Sequence, residues 1–457
     1  MTNIPYYDGS PPPLITDISP ALLRACTAFP PEAADQLGRA VSEARSADLG
    51  SSKMAASTRE TANEEFSAGC KAEQGCGRYG SIKSDNDHLN SAQLRTTQHP
   101  SLIFPQAQHI CMVMADGLGY NMIASRWGHV KFLRAMLQPC VSTENAYVHT
   151  CLPSSTACAI PALTTGCLPA QTGMLGYETK PGIDMPVVNL LQFRQRNHRE
   201  YPAKSFYRKP TLFDVAINSG RRAVAVGPHK FRASGMSYVS LHGAEIVTEK
   251  RLMNRCEKGV EALRAGADIS YIYWDGIDHA GHNYGWQSYE WLCELEAFDA
   301  AMDWLASHLP PRTLLLVVAD HGMVDVDLSQ QTSICDYPTL VQDVADIAGE
   351  PRALHVHLHH DVGDGEDVMN ERIELAARRW QDLLGERALV IPRMQAQAFY
   401  GKVEDPQIYL PDLTVFSLDK ASIVDKRIHS PKACGLKGMH GSVTEDELLI
   451  PVGVLLT

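Results

Sequence analysis

The chain has 457 residues, of which 44% are hydrophobic and 21% are charged. This composition is typical of a folded globular protein and excludes a fibrous or largely disordered chain. The formal net charge of -12 argues against an extended nucleic-acid surface, which requires clustered lysine and arginine. A small phosphorylated substrate stays open, because bound dications would reverse the sign of the local field.

The N-terminus and the cysteines indicate the compartment. Residues 1–17 lack the basic start and apolar core of a signal peptide, and no apolar run reaches the roughly eighteen residues of a membrane span. The 12 cysteines are scattered without CxxC pairs. That pattern is typical of small core residues or free thiols rather than of disulfides or a thiolate metal site. We therefore expect a cytoplasmic protein with no membrane partner.

The first hundred residues differ from the rest of the chain in composition and in hydrophobic pattern. A helical pattern around Ile18–Arg45 could pack on the main domain. Residues 46–100 are rich in small, polar and charged residues and contain few large apolar ones. We predict that residues 1–100 form a partly disordered N-terminal extension.

From residue 101 onward, short apolar runs alternate with helical patterns, which predicts an α/β domain with a mostly parallel sheet covered on both faces. The runs are HICMVMAD (109–116), RAVAVGP (222–228), ISYIYWD (269–275) and TLLLVVAD (313–320), and helical patterns cover 211–220, 251–265 and 286–308. Three of the runs end in an aspartate. Because ligands bind at the carboxyl ends of parallel strands, we expect three of these ends to converge on one site.

A smaller α+β insertion is predicted at about residues 336–425. It contains the strand ALHVHLHH, a helix near 365–385 and the strand ALVIPR. The histidines of the first strand could bind a metal by composition. Their alternation fits better with a half-exposed strand that carries His355, His357 and His359 on one face. The chain then returns to the main domain for KGMHGS and LLIPVGVLL.

Two segments contain a candidate acid and a candidate nucleophile. Asp116 ends an apolar strand in MADGLGYN, where an aspartate is often only a cap or turn residue. Thr156 lies at a loop-to-helix junction in LPSSTACAIP, where a hydroxyl is usually an N-cap. A helix N-terminus also favours an attacking oxygen and a phosphate. A threonine hydroxyl needs a base or a metal to become nucleophilic, so Thr156 alone decides nothing.

Three further segments contain potential metal ligands. Asp278 and His282 are spaced i, i+4 in DGIDHAGH, so both can reach one ion from a single helical turn; Asp275 and His279 beside them are weaker candidates. Asp320 and His321 directly follow an apolar strand in VVADHGM, and His440 stands between glycines in KGMHGS. Carboxylate oxygens and imidazole nitrogens suit zinc.

The five segments together resemble the alkaline phosphatase superfamily, and most of all its nucleotide pyrophosphatase/phosphodiesterase branch. DHAGH at 278–282 fits the family's D-x-x-G-H motif, DHGM at 320–323 matches D-H-G-M, and the late HG at 440–441 fits G-x-H-G. The resemblance covers residues 101–457 and implies an alkaline-phosphatase-like three-layer sandwich. Each motif alone is weak evidence. The resemblance rests on the motifs occurring together in the same order as in the family.

The resemblance also implies roles for these residues. Asp116, Thr156, Asp320 and His321 would hold one divalent ion, and Asp278, His282 and His440 would hold the other. Zn²⁺ suits this ligand set best, although Mn²⁺ or iron is also compatible with it. Thr156 would be the nucleophile of a phosphodiesterase or nucleotide pyrophosphatase that forms a phospho-threonine.

One departure from the family leaves the substrate open. Where the family has an asparagine that binds a phosphoryl oxygen, this chain has Gly176 and Tyr177 in TGMLGYE. We therefore consider Asn121, Tyr177 and Lys230 as substrate contacts. Phosphoric diesters or nucleotide pyrophosphates are the preferred substrates, with a phosphomonoesterase, phosphonate hydrolase or sulfatase second and a non-catalytic binding protein third.

Overall fold

The computed structural model describes residues 13–37, 102–137, 146–361, 363 and 365–457. All of these residues lie within one compact unit, which comprises Met1–Val41 and His99–Thr457. Most of the predicted disordered extension, including residues 46–100, lies outside the described residues.

The described residues contain eighteen strands. They are β1 His109–Ala115, β2 Tyr147–His149, β3 Glu178–Thr179, β4 Val188–Asn189, β5 Arg194–Gln195, β6 Ala223–Gly227, β7 Glu245–Thr248, β8 Ile269–Trp274, β9 Thr313–Val318, β10 Val324–Asp325, β11 Gln331–Ser333, β12 Val344–Glu350, β13 Ala353–Leu358, β14 Ala388–Pro392, β15 Leu413–Ser417, β16 Ser422–Val424, β17 Gly438–Met439 and β18 Leu449–Leu456.

The same part of the chain contains fifteen α-helices. They are α1 Ile18–Ala25, α2 Tyr120–Ala124, α3 Lys131–Met136, α4 Thr156–Thr165, α5 Pro169–Thr172, α6 Leu212–Asn218, α7 Gly235–Ser240, α8 Leu252–Arg264, α9 Gly276–Tyr284, α10 Tyr289–His308, α11 Pro338–Val341, α12 Glu366–Leu384, α13 Gln397–Tyr400, α14 Pro431–Cys434 and α15 Glu445–Leu448. Among them, none is both long and apolar enough to span a membrane.

A seven-stranded sheet in the order β2-β18-β9-β1-β8-β6-β7 forms the centre of the molecule. Strands β9, β1, β8, β6 and β7 are parallel, and β18 and β2 extend the sheet in antiparallel pairings. All six residues of β9 are buried, so helices and loops cover both faces of the sheet. The predicted α/β fold with a mostly parallel sheet is confirmed, and the four apolar runs are its neighbouring strands β1, β6, β8 and β9.

The helix predicted from the N-terminal pattern is only partly confirmed. Helix α1 is amphipathic, and Ile18, Leu22 and Leu23 are buried in the core of the central sheet. The helix ends at Ala25, earlier than predicted, because the chain becomes extended at Cys26 and pairs there with Ala107; a short 3-10 helix, Pro31–Gln36, follows. Residues 38–45 of the pattern lie outside the described part of the chain.

A second sheet has four antiparallel strands in the order β12-β13-β15-β14, with α12 packed on one face. Leu354, Val356 and Leu358 of β13 point toward α12. The alternate residues His355 and His357 are also buried, so the prediction of a half-exposed strand is wrong. The second face of this sheet is covered too: the ring of His355 packs against Gly176 of the main domain.

Candidate active site

Three acidic residues follow three neighbouring strands of the central sheet. Asp116 comes directly after β1, Asp278 lies in the first turn of the helix after β8, and Asp320 follows β9. Strand β1 pairs with β8 on one side and β9 on the other, so their carboxyl ends meet at one edge. This topology brings together side chains that are up to 204 residues apart, 320 minus 116.

Thr156 is the first residue of α4, and Ser155 is the N-cap. Its Oγ1 lies 3.1 Å from Nε2 of His321 and 3.4 Å from Oδ1 of Asp116. The free N–H groups of the first turn and the positive end of the helix dipole face the same space. The threonine hydroxyl is therefore held beside an imidazole and a carboxylate, at a helix end that favours anions.

Asp116, Asp320 and His321 form the first group of potential metal ligands, with their ligand atoms all within 4.8 Å of one another. Oδ1 of Asp320 accepts the backbone N–H groups of Gly117 and His321, each at 3.0 Å. The hydroxyl of Tyr273 donates to Oδ2 of Asp116. These bonds fix one oxygen of each carboxylate and leave the other to face the centre.

Asp278, His282 and His440 form the second group, again within 4.8 Å of one another. Nε2 of His282 lies 3.3 Å from Oδ1 of Asp278, and Nε2 of His440 lies 3.8 Å from the same oxygen. The sequence spacing predicted the pairing of Asp278 with His282 on one helical turn. His440 arrives through β17, which pairs with β10 just after the DHGM segment.

The three imidazoles share one hydrogen-bonding pattern. Nδ1 of His282 donates to the carbonyl of Gly438 at 2.8 Å, that of His321 to Gly322 at 2.9 Å, and that of His440 to Ser154 at 3.0 Å. A ring that donates from Nδ1 can present an unprotonated Nε2. Backbone carbonyls of this kind commonly orient the histidine ligands of metal ions.

The electrostatics of the centre fit a cation. Oδ1 of Asp278 and Oδ2 of Asp320 are buried and have no hydrogen-bond partner. Burial raises the pKa of Asp116 well above its usual value, and the carboxylates of Asp320 and Asp278 raise it further. Burial also lowers the pKa of His440, together with His321 and His282, so its ring stays neutral. Clustered buried carboxylates and neutral imidazoles are the donor set that divalent ions stabilise.

Glu350 is a pocket residue that the sequence did not indicate. It ends β12 of the second sheet and is 6% exposed. Oε2 accepts a hydrogen bond from Ser155 Oγ at 3.2 Å, and Oε1 has no partner. Burial raises the pKa of Glu350 to about 8, and the bond from Ser155 opposes the shift. No motif surrounds it in AGEPRAL, so only the three-dimensional packing shows its position.

The centre opens into a cavity of about 1110 Å³. Its lining includes residues of the 3-10 helix His229–Ala233, of α7 and of the segment 428–440. Apolar side chains such as Ile160, Leu191 and Met236 share the lining with Lys230 and Arg232. The volume exceeds what an inorganic phosphate fills and accommodates a larger organic group.

The structure places two of the three predicted substrate contacts at the cavity and the third elsewhere. Tyr177 and Lys230 line the cavity, and Nζ of Lys230 lies 3.4 Å from Asp275. Asn121 is directed elsewhere, because its amide donates to Asp446 at 2.9 Å.

The two weaker ligand candidates lie outside both ligand groups. Asp275 pairs with Lys230 and Arg255, and although burial acts to raise its pKa, these cations lower it. His279 is exposed at the cavity wall.

Comparison with known proteins places this site in a family. Residues 110–443, well over half of the chain, match the model of the family "Type I phosphodiesterase / nucleotide pyrophosphatase". This chain belongs to that family. It is therefore a phosphoester hydrolase of a metal-dependent family. The matched region contains Thr156 and the six residues of the two ligand groups. The resemblance that the five segments indicated is confirmed.

Solved structures share the fold of this phosphodiesterase family member at low identity. Murine ectonucleotide pyrophosphatase/phosphodiesterase 5, an inactive variant in complex with AMP, is 14% identical with a TM-score of 0.56 over 75% of this chain and 87% of that chain. Phosphonoacetate hydrolase from Sinorhizobium meliloti, in complex with phosphonoformate, is 18% identical with a TM-score of 0.56 over 77% and 91%. These matches support the alkaline-phosphatase-like fold.

Proposed function

We propose that this enzyme hydrolyses phosphoric diesters or nucleotide pyrophosphates with two divalent metal ions and a covalent phospho-threonine. The convergence of six side chains from four other segments on Thr156 is the main support. One ion would be held by Asp116, Thr156, Asp320 and His321, and the other by Asp278, His282 and His440. Aspartate and histidine favour Zn²⁺, with Mn²⁺ as the second choice.

The bound ions would supply positive charge that lowers the pKa of the Thr156 hydroxyl and stabilises the leaving oxygen. Thr156 Oγ1 attacks the phosphorus, and the bond from phosphorus to the leaving oxygen breaks in the same step. The N–H groups at the start of α4 bind the phosphoryl oxygens. Water then attacks phospho-threonine, releases the phosphoryl product and restores the hydroxyl.

The cavity supports a substrate larger than a simple phosphate. Its volume is about 1110 Å³, and its lining combines apolar side chains with the cations Lys230 and Arg232. An organic group can fill the apolar part, while the cations attract negative charge. The AMP complex of the murine structure agrees with a nucleotide-sized ligand.

A phosphonate hydrolase is the second candidate. Tyr177 lines the cavity where the family resemblance leads us to expect an asparagine that contacts a phosphoryl oxygen. Tyr177 presents one hydroxyl and a bulky ring, so it would recognise the phosphoryl group differently from an amide. The phosphonate complex of the Sinorhizobium meliloti enzyme makes this alternative worth testing.

One experiment separates these activities. Metal-stripped protein is reconstituted with Zn²⁺ or Mn²⁺ and assayed on bis(p-nitrophenyl) phosphate, p-nitrophenyl phosphate, a dinucleotide pyrophosphate and phosphonoacetate. We expect the diester or the pyrophosphate to give the highest kcat/KM, and chelation to abolish turnover. A higher kcat/KM on the monoester or the phosphonate would overturn the substrate assignment, and activity in metal-stripped protein would overturn the metal assignment.

A further inference from the structure

The turn between β12 and β13 lies beside the active site, where Glu350 and Pro351 line the cavity. The turn consists of Pro351 and Arg352, since Glu350 is paired with Ala353 across the hairpin. Gly349 before it has φ of +81°, and a Cβ there would lie 2.2 Å from the carbonyl oxygen of Ala353. A glycine is therefore required for this turn geometry.

Arg352 forms a fully buried ion pair with Glu447. Its Nε and Nη2 donate to the two carboxylate oxygens at 2.7 and 2.8 Å, and both side chains are 0% exposed. The remaining donors bind the carbonyls of Ala421 at 2.6 Å and Ser417 at 3.2 Å. Such a bidentate pair has one geometry and so fixes the position of Glu447 relative to the turn.

Glu447 in turn contacts two segments that contain potential metal ligands. Its Oε1 accepts the backbone N–H of Ser442 at 3.0 Å, two residues after His440. Its own carbonyl accepts the N–H of Gly322 at 2.9 Å, the residue after His321. One buried residue therefore links the histidines of both ligand groups.

Glu350 connects the same turn to the segment of the nucleophile. Ser155, which precedes Thr156, donates its hydroxyl to Glu350 Oε2 at 3.2 Å. The side chain of Glu350 also packs against Gly441, where a Cβ would lie 2.9 Å from its Cγ. Segments 154–156, 320–322 and 440–442 thus all contact the turn or its ion-pair partner.

We infer that Glu350, Arg352 and Glu447 are positioning residues, which hold the nucleophile segment and the two histidine segments in the arrangement that binds metal. The second sheet is then a structural part of the metal centre through this turn. The inference rests on the proposed two-metal function. Losing a residue that orients metal ligands commonly weakens metal binding by roughly 10–100-fold.

The test uses a double variant, because removing one partner alone leaves a buried unpaired charge that can prevent folding. Arg352→Met/Glu447→Met removes the ion pair and the side-chain bond to Ser442, and leaves the main-chain bond from Gly322 to residue 447 in place. Arg393→Met/Asp412→Asn is the matched control, since that ion pair lies in the same small sheet, at 2.9 Å, and its aspartate contacts Leu358 and His360. Glu350→Ala and Glu350→Gln test the link to Ser155, where the amide oxygen of glutamine can still accept the hydroxyl.

The readouts are metal content, metal affinity by competition with a chelator, kcat, KM and the thermal unfolding curve. We expect the double variant to bind metal roughly 10–100-fold more weakly. Its kcat should fall while KM changes little, and the control should match wild type. Glu350→Ala should lower kcat, and Glu350→Gln should restore most of it.

The outcomes are distinct. Wild-type protein without metal would refute the proposed function itself. If wild type binds metal and the folded double variant holds it equally well, or the control pair loses it to the same extent, the positioning role is wrong. If the double variant does not fold, the same measurements on Arg352→Lys and on the Glu350 variants test the positioning role. Arg352→Lys keeps the positive charge and loses the bidentate hydrogen bonding.

Discussion

His321 and His440 stack face to face in the candidate active site, with ring centroids 3.7 Å apart and ring planes 17° apart. They belong to different ligand groups, one with Asp116 and Asp320 and the other with Asp278 and His282. The two proposed ion sites are therefore in direct contact through these rings. A change in one group should disturb the other.

We expect His440→Ala to reduce the metal content from two ions to one or none and to lower kcat/KM by at least about 100-fold. Metal content is measured by elemental analysis of protein purified without chelator. The matched control is His308→Ala, because His308 also stacks on an aromatic ring, that of Trp304, at 4.0 Å. Equal metal loss in both variants would show that losing any stacked histidine lowers the metal content. That outcome would contradict ligation by His440.

Thr156→Ala should abolish turnover, with a loss of roughly 1000-fold or more in kcat, because it removes the hydroxyl that lies beside His321 and Asp116. Thr156→Ser should retain measurable activity, since it keeps the oxygen at the start of α4. Burst kinetics and trapping of a phosphorylated enzyme with a labelled substrate identify the covalent step. A phosphoenzyme in the alanine variant would contradict the assignment.

Lys230→Ala should raise KM by about tenfold with a smaller change in kcat, because the lysine lines the cavity without contacting Thr156 or the ligand groups. Steady-state kinetics on the preferred anionic substrate give both constants. Lys258→Ala is the control, since Lys258 is on the exposed face of α8 and pairs with Glu261. An unchanged KM in Lys230→Ala would remove this residue from the substrate contacts.

Gly322→Ala should destabilise the fold and the site together. A Cβ on Gly322 would lie 1.9 Å from the carbonyl oxygen of Asp446, so the segment after His321 must move. We expect a loss of about 1–3 kcal/mol in the free energy of unfolding and a weaker metal site. Gly128→Ala is the control, because no atom lies within 4 Å of a Cβ there. The free energy of unfolding is measured by denaturant unfolding, together with the metal content. The prediction is wrong if both variants match wild type in these two measurements.

His355, one of the two buried histidines of β13, should make the protein less stable in acid. Burial lowers the pKa of His355 from 6.5 to about 3. Below pH 6.5 the unfolded chain binds a proton at this residue and the folded chain does not, so stability falls as pH decreases toward 3. Between pH 7 and pH 5 this residue should cost about 2 kcal/mol.

His355→Gln tests this, since the amide oxygen can still accept the hydroxyl of Tyr400, which lies 2.9 Å from Nε2 of His355. We expect a smaller drop in the free energy of unfolding between pH 7 and pH 5 than in wild type, measured by urea denaturation. His359→Gln is the control, because His359 lies just after the same strand and is exposed. An identical drop in wild type and His355→Gln would contradict the buried neutral state.

The central sheet and the ligand segments could be predicted because their signals are local. Each strand is a continuous apolar run, and Asp116 or Asp320 stands where the run ends. The parallel topology then brings these ends together without further information.

Other features depend on contacts that no short sequence window contains. The hydrogen bond from Asn121 to Asp446 and the position of Glu350 connect segments far apart in the chain. His355 and His357 are buried because Gly176 packs against His355 and the ring of Tyr409 stacks on His357, both from segments distant in the sequence. Helix α1 ends early because the chain after Ala25 pairs with Ala107, about eighty residues further along the sequence.

The three Nδ1 bonds in the centre go to main-chain carbonyls of Ser154, Gly322 and Gly438. Every amino acid carries that carbonyl, so the tautomer of each ring is set by the path of the chain and not by the chemistry of a neighbouring side group. The proton on each Nδ1 therefore stays in place under any substitution that leaves the local main chain in place.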